Sequence, residues 1–320
     1  MTDGAGPLVT VGLPVYNGER FIAHAIEAIL TQTYGNLELV ISDNGSTDGT
    51  EAICRSRLSR DPRVRYARSS VNRGMSWNYA RLVQLARGKY FKWIAADDSC
   101  DADFLAKCVA VLERDPTVVL ACTKTIFIDE AGRAVQRIDP EWDLRSEMAH
   151  ERLEAVILKG GHWENADALS GVIRTDALRR TRRIPPYQGG DKRPLAELSL
   201  MGKFVEIPEY LLFRRRHAGA SNTNNPATRG YDARSVRWMT EFFQGSPWRV
   251  CLPTWNLTLD QVVTIYRSRL GAKATLRLLV AELKGSWWRR EVLMQELGAV
   301  RRMLVATLFG WARWGKPLPP

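Results

Sequence analysis

Two adjacent aspartates, Asp97 and Asp98, close the apolar run WIAADD. Neighbouring carboxylates repel, and a strand of this apolarity should be buried, so a compensating positive charge must stand opposite them. One aspartate would suffice to cap a following helix, and Ser99 or Asp101 could do the same. A pair at a strand end, joined by a carboxylate from another strand, fits a hard divalent cation better. Mg2+ or Mn2+ takes one or two protein carboxylates and completes its shell with oxygens such as those of substrate phosphates. Asp43, in SDNGSTDGT, is that further carboxylate. At the end of a buried strand it either organises an Asx-rich loop or accepts from a base N–H.

These residues need elements to hold them. LVTVGLPVYN (8–17), LELVISDN (37–44), VRYARSS (64–70) and YFKWIAA (90–96) read as strands rich in β-branched and aromatic residues. Between them, residues 18–34 put Phe21, Ile22, Ala25, Ile26, Ile29 and Leu30 on one helical face. Further helices are expected over STDGTEAICRSRLSR, with Asp48 as N-cap and Glu51 as its capping-box partner, and over 76–87 and 102–114. TVVLACTK and TIFIDEAGRAV read as the next two strands, with a turn at 130–132. A helix over 194–201 and the strand FVEIPEYLLFRRR follow. Strand–helix alternation with short connections implies an α/β fold, a mostly parallel sheet with helices on both faces. Ligands then bind beyond the carboxyl ends of the strands, where Asn17, Asp43 and Asp97–Asp98 all fall.

The 320-residue chain has the composition of a globular protein, 45% hydrophobic and 25% charged. Four histidines exclude a histidine-rich metal site, and the five cysteines form no CxxC pair, the pattern of reduced thiols. The first strand is followed by no GxGxxG, and GxxxxGK[ST] is absent, which disfavours dinucleotide binding and a P-loop. No signal-peptide pattern opens the sequence and no run reaches the roughly 18 apolar residues of a membrane span. A cytoplasmic protein is expected, with a peripheral position at the inner face of the membrane as its variant.

The ordered set LVTVGLPVYNGERFIAHAIEAILTQTY, LELVISDNGSTDGT, NRGMSWN, ARGKYFKWIAADD, GGDKRPLAELSLMGKF and LLFRRRHAGAS resembles the inverting family 2 glycosyltransferases of GT-A fold, over about residues 7–222. The resemblance implies a nucleotide-diphosphate sugar as donor, a divalent metal, and a glycan, lipid-linked or small-molecule acceptor. It implies that Pro14, Tyr16 and Asn17 line the nucleotide pocket, that Asp43 accepts from the base, and that Arg73 and Gly74 lie against base and ribose. It puts Asp97 on the ribose and metal, Asp98 on the metal, His217 on the metal or diphosphate, and makes Asp191 the general base. A helix N-cap is the bland alternative for Asp191, but it would be off register for a helix starting at Pro194. Two positions depart from the family pattern. Ala95 replaces a further aspartate, and Asn44 stands in the base-binding loop, so a UDP-sugar is favoured only modestly over other nucleotides. A sugar-1-phosphate nucleotidyltransferase would carry a glycine-rich basic loop after the first strand, and a non-catalytic nucleotide-sugar-binding protein would lack Asp98 or Asp191.

On this reading residues 1–225 form the GT-A catalytic domain, with a nucleotide-sugar and metal half (1–130) and an acceptor half (131–225). Residues 226–320 form a basic, Trp-rich helical extension. From Ala272 to Lys316 nine Lys/Arg face three Glu, a net of +6 within a total of +11. Trp287, Trp288, Trp311 and Trp314 accompany them. Two readings stay open for these helices: packing on the domain or on a partner in a homodimer, or lying on an anionic membrane surface. Nucleic acid is not expected, since no recognised module accompanies the charge.

Overall fold

A computed structural model describes residues 6–139, 141–159, 167–220, 233–244 and 250–308. The boundary expected near residue 226, the stretch GGHWEN, Trp311 and Trp314 lie outside the described residues.

The first half alternates as the sequence predicts: β1 (Val9–Val15), α1 (Ile22–Leu30), β2 (Leu37–Asp43), α2 (Thr50–Leu58), β3 (Val64–Arg68), α3 (Met75–Leu85) and β4 (Tyr90–Trp93). Then come β5 (Ser99–Cys100), α4 (Phe104–Arg114), β6 (Val118–Ile128), β7 (Ala134–Ile138) and α5 (Ala149–Lys159). Next are β8 (Val172–Arg174), α6 (Thr175–Arg179), α7 (Lys192–Met201) and β9 (Lys203–Arg215). Four helices follow: α8 (Ala233–Phe243), α9 (Pro253–Arg267), α10 (Ala272–Trp288) and α11 (Arg290–Leu308).

The strands join one sheet in the order β3-β2-β1-β4-β8-β6-β9-β5, with β7 on the outside of β6. β3, β2, β1 and β4 are mutually parallel, β8 reverses against both β4 and β6, and β9 runs parallel to β6. Register sets Val15 beside Asp43 and Gly12 beside Trp93, so β1, β2 and β4 release their following loops at the same edge. Alternate residues feed two cores. Leu39 and Ile41 face a cluster with Ile22, Ile26 and Ile29 of α1 and Phe104 and Leu105 of α4. Val40 faces the other side, where Leu82 of α3, Leu153 of α5 and Leu195 of α7 pack. Leu278 and Ala281 of α10 enter this second core, so the C-terminal helices are built onto the sheet domain. Each fully buried Leu or Ile there contributes roughly 1.5–3 kcal/mol.

Several local expectations are corrected. TVVLACTK and TIFI form one continuous strand, β6, whose irregular register against β9 absorbs the polar Thr123–Thr125 stretch. β4 ends at Trp93, and Ala95–Ala96 already belong to the loop that carries the aspartates. The Asp48–Glu51 capping box does not form: α2 starts after Gly49 without a side-chain cap. Asp48 instead accepts from the backbone N–H of Glu19 and Thr50, while Glu51 pairs with Arg55 and Arg68. α7 starts at Lys192 rather than Pro194, which places Asp191 at the N-cap position after all, though without a capping hydrogen bond from its side chain.

Candidate active site

The loops after β1 and β2 are zipped together by the residues the sequence singles out. Asn17 adopts a left-handed conformation (φ 52°), which asparagine tolerates because its short side chain can satisfy the backbone locally. Its Oδ1 accepts from the Thr47 N–H at 2.8 Å, and its own N–H donates to Ser46 Oγ at 2.9 Å. Next to it, Tyr16 is half-exposed on the wall of a cavity of about 710 Å³ at the carboxyl edge of the sheet. Pro14, Asn17, Asp97 and His217 line the same cavity.

Asp43 and Asn44 divide on either side of that wall. Asp43 is fully buried. Its Oδ1 accepts from the Ser46 N–H at 2.8 Å, and its Oδ2 from the Tyr66 hydroxyl at 2.5 Å, with Arg68 Nε 3.3 Å away. Burial and this carboxylate hold the Tyr66 hydroxyl protonated well past its ordinary range. Asn44 faces the cavity: its Nδ2 donates to Asn72 Oδ1 at 2.8 Å and its Oδ1 accepts from the Arg73 N–H at 3.0 Å. Arg73 lays its guanidinium 4.4 Å from the Trp77 ring centre. Gly74 begins α3 at φ +83°, and a Cβ there would come within 2.6 Å of the Phe243 carbonyl oxygen of α8.

The acidic pair is resolved by β9. His217 Nε2 lies 3.0 Å from Asp97 Oδ2, its ring 4.9 Å from that of Phe21. Asp98 Oδ1 accepts from the Arg215 N–H at 2.9 Å, and Arg214 Nε stands 3.8 Å from Asp98 Oδ2. The two carboxylates thus point at different partners. Arg214 to Arg216 alternate as a strand requires. Arg214 and Arg216 flank Phe127, while Arg215 is buried, donates to the Asp97, Asp129 and Glu130 carbonyls, and sits over Phe21. Asp97 and His217 therefore face the cavity and Asp98 stands behind them; among the described residues no group of three or more His, Cys, Asp or Glu side chains is disposed to hold a metal ion.

Asp191 stands at the start of α7 and is not among the residues that line the cavity. Tyr79 lines the cavity, and its hydroxyl is held protonated first by burial, then by the carboxylates of Asp97 and Asp98, with Asp191 adding in the same direction and Arg214 opposing. The loop before Asp191 is tied to the C-terminal helices, since Asp260 of α9 accepts from the Tyr187 hydroxyl and pairs with Arg182 and Arg193. Lys192 is buried, and burial pushes its pKa down to about 8 against the pull of Asp191.

Sequence reasoning missed one wall. Trp238, Glu241, Phe242 and Gln244, on α8 and just after it, also line the cavity. The Trp238 and Phe242 rings stack with centroids 4.8 Å apart and planes 14° from parallel. Aromatics four residues apart on a helix were the available signal, but such a pair reads equally well as core.

Residues 10–175 match the family model for Glycosyl transferase family 2. The chain is 34% identical over 184 residues to the putative glycosyltransferase EpsE of Bacillus subtilis, covering 56% of this chain and 64% of that protein. It is 33% identical over 129 residues to a chondroitin synthase of Escherichia coli, covering 40% of this chain and 19% of that one. The matches thus span less than two thirds of either relative. The fold is similar to that of S. aureus TarS 1-349 solved in complex with UDP-GlcNAc, with a TM-score of 0.63 at 14% identity over 91% of this chain and 79% of that one.

Proposed function

The chain belongs to glycosyl transferase family 2 and is a glycosyltransferase of GT-A fold; we propose that it is a metal-dependent, inverting enzyme. It moves a sugar from a nucleotide-diphosphate sugar, a UDP-sugar in first place, to a hydroxyl of a glycan, lipid-linked or small-molecule acceptor. The observation that carries this reading is the Asp97–His217 couple at 3.0 Å in the wall of a cavity also lined by Tyr16, Asn17 and Asn44. The UDP-GlcNAc held by the TarS structure supports the choice of nucleotide.

A carboxylate oxygen and an imidazole nitrogen this close suit Mg2+ or, given the nitrogen, Mn2+. Two cavity-facing donors from the protein would suit a hard cation that also binds phosphate oxygens and water. Asp97 and His217 would hold the ion, and Asp98, which accepts from the Arg215 N–H with Arg214 alongside, would add negative charge from behind. When bound, the cation supplies Lewis acidity that offsets charge on the departing diphosphate.

Tyr16, Asn17, Asn44 and Asn72 offer the nucleotide an aromatic edge and amides, with Arg73 and Gly74 on the ribose side. Asp43 acts from behind, fixing the loop through Ser46 while its neighbour Asn44 meets the base. Asp191 takes the proton of the acceptor hydroxyl as its oxygen bonds to the anomeric carbon and the bond to the diphosphate breaks on the opposite face. Configuration inverts in that single displacement. Stacked Trp238 and Phe242 keep water off this side of the cavity, which strengthens the electrostatics inside it.

Thermal-shift screening of UDP-, dTDP- and GDP-sugars with and without Mn2+ tests the reading. Stabilisation that needs both the metal and a UDP-sugar is expected. Equal stabilisation by every nucleotide sugar without metal contradicts it.

A further inference from the structure

α9 and α10 are apolar on two sides. Their inner sides pack: Leu257, Ile265, Leu278 and Ala281 are buried. Their outer sides carry a second stripe at helical spacing, Trp255, Leu259, Val262 and Tyr266 on α9, and Leu276, Val280, Leu283 and Trp287 on α10. These positions are open to solvent, Leu259 by 62%, Tyr266 by 84%, Leu283 by 70% and Trp287 by 66%. Two whole stripes of this kind exceed the scattered surface leucines of an ordinary globular protein.

Bases outnumber acids around them, although Arg277 of α10 pairs with Glu151 and Glu154 of α5, and Glu154 lines the same groove as Leu276 and Val280. Of the acids between residues 253 and 301, three are turned into the protein. Asp260 is held by Arg182 and Arg193, Glu282 by buried Arg289, and Glu296 by the N–H groups of Thr254 and Trp255. Glu291 is exposed. The bases Arg267, Arg269, Lys273, Lys284, Arg290 and Arg301 are exposed as well. Arg290 also holds its guanidinium 4.9 Å from the ring centre of exposed Trp287.

We infer that the outer faces of α9 and α10 dock on an anionic lipid bilayer, aliphatic and indole side chains entering the acyl boundary and the bases meeting lipid phosphates. A second copy of the chain is disfavoured as occupant, because two such faces would set bases against bases with little acid between them. A soluble polyanion would match the bases but leave both apolar stripes in water. Among the described residues no helix is long and apolar enough to cross a membrane, so the contact is one of lying on the surface. The inference is independent of the sugar-transfer reading, since it uses none of the cavity residues.

Flotation of the full chain with phosphatidylcholine vesicles, with and without phosphatidylglycerol, tests it. The chain is expected to float with the anionic vesicles and to stay behind with neutral ones. Leu259→Glu with Leu283→Glu, both at exposed positions, should cut the bound fraction at least about tenfold with an unchanged melting profile. Lys273→Glu with Lys284→Glu should also lower it about tenfold, on anionic vesicles alone. The inference is overturned if the unaltered chain ignores anionic vesicles, or if the leucine pair changes nothing. It is equally overturned if light scattering finds a dimer that the leucine pair dissolves.

Discussion

His217 Nε2 meets Asp97 Oδ2 at 3.0 Å across 120 positions of sequence. β9 makes this meeting possible by running out of the sheet beside β6 and delivering Arg214, Arg215 and His217 to the loop after β4. Arg215 fixes the loop backbone, Arg214 balances Asp98, and His217 is left facing the cavity with Asp97.

On the proposed reading, replacing His217 by alanine removes one donor to the ion, along with its contacts to Asp97, the Gly219 N–H and the Phe21 ring. A kcat loss of about 10–100-fold is expected, together with a higher Mn2+ concentration for half-maximal rate. Titrating Mn2+ into the variant measures this; an unaltered metal requirement would remove His217 from the site.

Phe242 tests the wall contributed by α8. Its ring stacks on Trp238 and faces the cavity, and the helix end rests on Gly74, just before α3. Phe242→Ala should raise the donor KM about tenfold, the scale of one lost aromatic contact. A KM unchanged within twofold would mean that α8 only covers the cavity.

Lys192 makes a pH prediction. Its pKa in the fold is pushed down to about 8 from an ordinary value of 10.5, so the unfolded chain binds more protons between those limits. Stability contributed at this position is reduced below about pH 8 and recovered as pH rises toward 10.5, by up to about 3 kcal/mol. Lys192→Met should gain stability at neutral pH, and the difference from the parent should shrink between pH 8 and 10. Denaturant melts of both proteins across that range decide it; a difference that grows with pH would reverse the assignment.

Much of this arrangement is legible in the residues themselves. Runs such as LVTVGLPV and LELVISD announce buried strands, and alternation with amphipathic helices fixes which strand ends share an edge. That logic suffices to bring Asn17, Asp43 and Asp97–Asp98 to one edge of the sheet. It does not say which of two neighbours at a strand end faces the ligand. Asp43 and Asn44 are both buried but bond to different partners, Asp43 to Tyr66 and Arg68 of β3 and Asn44 to Asn72 and the Arg73 N–H. Nor could local capping rules foresee α2, because Asp48 is drawn away by the Glu19 N–H, a partner 29 positions earlier. Trp238 and Phe242 escaped for the same reason: only tertiary packing against Met75 brings α8 to the cavity.

Asp191, the proposed base, stands at the N-cap of α7. Asp191→Asn keeps the shape and removes the carboxylate proposed as the base. Sugar transfer from a UDP-sugar should fall by about 10²–10⁴-fold, while the affinity for the UDP-sugar with Mn2+, read by calorimetry, stays within threefold. Transfer at the parent rate in the well-folded variant would contradict the account at its centre.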